Sequence, residues 1–141
     1  MSETTIQARL QALLLPWFAE GSVLLNDYRT PQISSRENAP WAIIALADEV
    51  VFLPGESWSN PSATYGVFLN LVDYRRGRSD EAMLNGFQEL RQNVLAALIV
   101  NPLANRIEAA TALGPYFAED GEPDPDSIAQ RFVIDVTDYE V

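Results

Sequence analysis

The sequence predicts an α+β fold: an antiparallel or mixed β-sheet with two helices packed on it. Three observations lead there. Apolar residues recur every three or four positions near the N-terminus and again over 83–98, the mark of two amphipathic helices. Two long segments, beginning at Trp41 and at Tyr65, are apolar or alternate with a period of two, the mark of strands. Turn residues separate the strands at hairpin distance, which favours antiparallel neighbours. A chain of 141 residues suits one domain over 1–141.

The first helix should start after Thr4, with Gln7 completing a capping box, and align Ile6, Leu10, Leu13, Leu14 and Trp17. Pro16 lacks an amide proton, so the helix should stop or kink near Leu15. Val23, Leu24 and Leu25 make a short strand, followed by a polar loop from Asn26 to Ala39. After Pro40, Trp41–Ala47 is apolar on both alternating faces, as in a strand covered on at least one side. Asp48 and Glu49 interrupt it as a bulge or exposed edge, and Val50–Leu53 resumes it before Pro54-Gly55. Glu56 to Thr64 reads as a long hairpin loop, and Tyr65 to Arg76 as the returning strand, with Val67, Leu69 and Leu71 on one face.

Ser79 is a natural N-cap, and Asp80 and Glu81 oppose the positive end of a helix. That helix carries Met83, Leu84, Phe87, Leu90, Val94, Leu95 and Leu98 and ends before Asn101-Pro102. Ile107 to Phe117 is a third strand candidate, although its alanines also allow a helix. Residues 119–126 form an acidic turn with no apolar anchor, expected to be exposed. A last strand alternates apolar Phe132, Ile134 and Val136 with Arg131, Val133, Asp135 and Thr137.

The residue inventory bears on chemistry. There is no His, Cys or Lys, and the nine basic residues are all arginine. This excludes thiolate or imidazole zinc sites, Ser-His-Asp and Cys-His catalysis, Walker-type phosphate loops and Schiff-base chemistry. No cofactor, metal or catalytic residue is expected. The net charge of −11 repels nucleic-acid backbones and anionic membranes, so a partner reached by attraction should be basic. The N-terminus lacks the basic region of a signal peptide, and no apolar run approaches the roughly 18 residues of a membrane span, so a cytosolic protein is expected.

Three constellations stand out. Asp120, Glu122, Asp124 and Asp126 alternate like calcium ligands, but Pro125 occupies the position where such a loop needs glycine. Arg75, Arg76 and Arg78 beside a helix start suit a phosphate or a partner carboxylate; the bland alternative, which the spacing favours, is local pairing with Asp73, Asp80 or Glu81. Trp58, in a polar loop, either folds back onto the sheet or anchors an interface.

The N-terminal helix Thr5–Leu15, the strand opening at Pro40-Trp41-Ala42-Ile43-Ile44, the hairpin tip to Thr64, Gly66–Val72, the helix from Ser79 and the closing Gln130–Val136 come in an order that resembles the tail terminator (tail completion) proteins of long-tailed bacteriophages. The likeness spans nearly the whole length and is one of element order and size, not of motif. It implies a virion structural protein that is not an enzyme: a hexameric ring that caps the tail tube protein, stops its polymerisation and receives the head-tail connector protein. Such a protein is assembled in the host cytoplasm into the virion tail, and genome DNA passes through the ring without specific binding. In that setting Trp58, Arg75, Arg76 and Arg78 are the candidate partner interface, and Glu119, Asp120, Glu122, Asp124 and Asp126 the candidate channel or rim acids. Rival readings are another neck or baseplate adaptor of similar fold, an acidic inhibitor that mimics DNA and, last, a hydrolase that works through its carboxylates, the one kind of catalytic group the composition leaves.

Overall fold

The computed structural model describes residues 3–19, 21–26, 38–53, 62–100, 106–117 and 121–138, and the side chains of 8–19, 21–24, 38–45, 66–99, 106–117 and 121–136. The elements are α1 (Glu3–Leu14), β1 (Val23–Asn26), β2 (Trp41–Leu53), β3 (Ser62–Tyr74), α2 (Asp80–Val100), β4 (Arg106–Ala109) and β5 (Ser127–Asp138). They build an α+β fold around a five-stranded mixed sheet of order β1-β2-β3-β5-β4.

β2 and β3 are each 13 residues long and antiparallel, the hairpin expected from their patterns. Its loop is shorter than Glu56–Thr64, because β3 already begins at Ser62, and β3 ends at Tyr74 rather than Arg76. The register of the hairpin shifts between Leu46 and Val50, where Asp48-Glu49 was expected to interrupt the strand. β1 runs parallel to β2, which a chain can do only through a crossover and not a tight turn. β3 and β4 are both antiparallel to β5 and therefore parallel to each other; α2 is their crossover, and β5 is inserted between them.

Both helices lie on one face, α1 over β1 and β2, and α2 over β3 and β5. α1 begins at Glu3, two residues earlier than expected, and ends at Leu14, where Leu15–Trp17 tightens into a 3-10 turn with Pro16 at its start. Leu10 and Leu14 from α1 and Met83, Phe87, Leu90, Val94 and Leu98 from α2 meet Ala42, Ile44, Val67, Leu69, Leu71, Phe132, Ile134 and Val136 in the main core. Each fully buried apolar side chain of this kind stabilises the fold by about 1.5–3 kcal/mol. Ser79 caps α2 as expected, accepting the Ala82 N–H on its hydroxyl at 3.1 Å.

The opposite face carries a smaller cluster, Ala39, Trp41, Ile43, Val72 and Tyr74, covered in part by Leu24, Tyr116 and Ala129. Trp41 to Ile44 are thus buried on both sides, which explains an apolar run where a one-sided strand would alternate. Ile107–Phe117 is not one strand. β4 stops at Ala109, and Ala110 and Thr111 both donate to the Arg131 carbonyl, at 2.8 and 3.4 Å. Pairing with β5 resumes only at Gly114, opposite Ala129. The pairing sum rises from that of Ala109 with Phe132 to that of Gly114 with Ala129 by two, so two extra residues bulge from this edge.

Candidate interaction site at the arginine turn and acidic loop

β3 leaves the sheet into Arg75–Arg78, which turn the chain into α2. Arg76 and Gly77 both have positive φ, 49° and 77°, and the Arg78 N–H donates to the Arg75 carbonyl at 3.0 Å. Two positive-φ centres define the mirror-image β-turn. Gly77 adopts that geometry without steric cost, whereas Arg76 carries a Cβ and must be held there.

What holds it is Asp73. By strand parity Asp73 faces the helices, and its side chain is only 4% exposed. A carboxylate this buried requires hydrogen-bonded, charged partners. The Tyr74 N–H donates to its Oδ1 at 2.8 Å, Arg76 Nη2 stands 3.3 Å from the same oxygen, and Arg78 Nη2 lies 3.0 Å from Oδ2. Arg78 Nη2 also donates to the Tyr74 carbonyl at 2.7 Å, and its Nε to the Arg75 carbonyl at 3.0 Å. Its Nη1 occupies the space beside Gly86, where an added Cβ would meet it at 3.0 Å. A glycine inside α2 is therefore the opening through which Arg78 reaches Asp73.

Arg75 points the other way. Its guanidinium pairs with Asp80 at the start of α2, and Nε stands 3.3 Å from Asp126 Oδ1. Its backbone N–H donates to the Asp126 carbonyl at 2.7 Å. The hydrogen bond to Asp80, then that to Asp126, raises the Arg75 guanidinium above its ordinary pKa, so its charge is fixed at any physiological pH. Antiparallel pairing of Tyr74 with Ser127 brings this about, since it sets the residue after β3 beside the residue before β5.

The acidic loop is correspondingly more built than its composition implied. Asp124 Oδ1 accepts the Asp126 N–H at 3.0 Å, and the Asp124 carbonyl accepts both the N–H (3.2 Å) and the hydroxyl (2.7 Å) of Ser127. The Asp124 N–H donates to the Tyr116 carbonyl at 2.9 Å, and the Tyr116 N–H to Ser127 Oγ at 2.8 Å. The backbone of Phe117 bridges that of Pro123, and residues 121–126 are exposed, as expected, apart from the half-buried Asp124. Glu122 is exposed, while Trp58, Glu119 and Asp120 lie outside the described residues.

The three candidate arginines and two of the five candidate acids thus form one connected corner, not two separate surfaces. Each arginine has a carboxylate partner, as in the local-pairing alternative. The residue that sequence reasoning did not place there is Asp126. Among the described residues no three carboxylates are grouped to hold a metal ion, and no helix is long and apolar enough to cross a membrane. No protein-family model and no curated protein matches the chain.

Proposed function

We propose that the chain is a structural subunit, not an enzyme, of a long-tailed phage virion: the tail terminator, which assembles as a hexameric ring on the upper end of the tail tube, halts its growth and receives the head-tail connector. The observation that supports this best is the element order, an N-terminal helix, a short strand, a hairpin of two 13-residue strands, a 21-residue helix and two closing strands in one mixed sheet. A net charge of −11 suits a conduit through which DNA must slide without being gripped.

Inactivating the gene in its phage tests the reading. Tails of uncontrolled length that fail to join filled heads, with both defects reversed by the protein supplied in trans, are the expected result. Tails of normal length on infectious particles would contradict it.

A further inference from the structure

Of the eight asparagines in the chain, only Asn85 is followed by glycine. The pair carries its own chemistry. The backbone nitrogen of the following residue can attack the Cγ of an asparagine side chain, and a β-substituent on that residue hinders the approach; glycine has none. The attacking nitrogen passes its proton to the departing ammonia, and a cyclic imide remains. Water then opens either imide carbonyl, leaving an aspartyl or an isoaspartyl linkage, and no other reactant is needed. Asn85 stands exposed on the solvent side of α2, so water reaches the reacting amide.

The fold withholds this reaction. Gly86 lies in the second turn of α2, where its N–H belongs to the i→i−4 ladder and the helical backbone turns it away from the Asn85 Cγ. Met83 and Phe87, on either side, are buried in the main core, so this turn opens only if they leave it. Contacts at the start of the helix tie the turn down. Ser79 caps Ala82, Arg75 pairs with Asp80, and the Arg78 guanidinium, held by Asp73, rests against Gly86, with Nη1 3.0 Å from where a Cβ would stand. We propose that Asn85-Gly86 is a guarded self-modification site: it deamidates only when the first turns of α2 open locally, and the Asp73–Arg78 contact sets how often they do. Conversion loosens the helix that guards it. It puts a carboxylate at 85 between Glu81 and Glu89, each four residues away on the same helix face, and the isoaspartyl product adds a backbone methylene that breaks the ladder.

Ageing the full chain at neutral pH tests it. Cleavage after Arg78 and Arg91 releases residues 79–91, in which Asn85 is the one asparagine, and mass spectrometry follows the change from amide to acid there. In urea the unfolded chain should convert Asn85 before any other asparagine, and the folded chain should convert it at least about tenfold more slowly. Asp73→Ala, aged while folded, should convert at least about fivefold faster than wild type, with faster amide exchange at 82–87, and the milder Asp73→Asn should fall between. Val23→Ala weakens the same core at the far edge of the sheet and should change the rate less than about twofold. A folded wild-type rate within about twofold of the unfolded rate would overturn the proposal, as would another asparagine reacting first in urea. Equal acceleration by Asp73→Ala and Val23→Ala would overturn it too, because the reaction would then wait on global unfolding and not on the β3–α2 corner.

Discussion

Replacing Asp73 by alanine should be among the most damaging polar substitutions in this protein, and its size follows from the geometry. The change removes the acceptor for the Tyr74 N–H at 2.8 Å and for the Arg78 and Arg76 guanidinia at 3.0 and 3.3 Å. Breaking a buried ion pair by deleting one partner costs about 3–5 kcal/mol when the orphaned charge stays buried. Here the orphaned side chains of Arg76 and Arg78 are 36% and 30% exposed and regain water, so the expected loss is lower, about 2–3 kcal/mol. At an unfolding entropy of roughly 2.1 cal/mol/K per residue, a chain of 141 residues loses about 7–10 °C in Tm. Urea denaturation and calorimetry of D73A measure it. Asp73→Asn, which keeps an acceptor but loses the charge, should fall between wild type and D73A. A loss below about 0.5 kcal/mol in D73A, the range of ordinary surface changes, would refute the claim that Asp73 holds the β3–α2 corner together.

Three further outcomes follow from the same contacts. Phe87→Ala, at the centre of the main core, should cost about 3–5 kcal/mol in urea denaturation, and a cost under 1 kcal/mol would place Phe87 outside the core. Asp126→Asn should lower Tm measurably, since Asp126 stands 3.3 Å from Arg75 Nε; an unchanged Tm in calorimetry would contradict this. Gly86→Ala should bring less than the roughly 1 kcal/mol that alanine normally adds to a helix, because its Cβ meets Arg78 Nη1, and the full gain should return in an Arg78→Ala background. A purely additive double-mutant cycle would show that Gly86 and Arg78 are not coupled.

The parts of the fold that were legible in the sequence are those with a period. α2 was readable from Ser79 to the residue before Asn101 because its apolar stripe, its cap and its stop agree, and the bulge in β2 was readable because two carboxylates interrupt an apolar run. β4 was overextended for the opposite reason: the alanines of 109–112 have no period, and the two-residue bulge falls among them. The parallel placement of β1 and the insertion of β5 between β3 and β4 depend on long-range pairing that no local pattern encodes. The same holds for the site. Pairing of the arginines with Asp73 and Asp80 lies within a few residues along the chain and was foreseeable from spacing. The bond from Arg75 to Asp126 spans 51 positions and exists only because β3 and β5 are neighbours.

Reconstruction of the intact particle at the junction of tail and head tests the central claim most directly. The proposed role predicts six copies of this chain in one ring around the channel, resting on the last ring of the tail tube. A single copy, a threefold arrangement, or a particle without this chain at that position would contradict it.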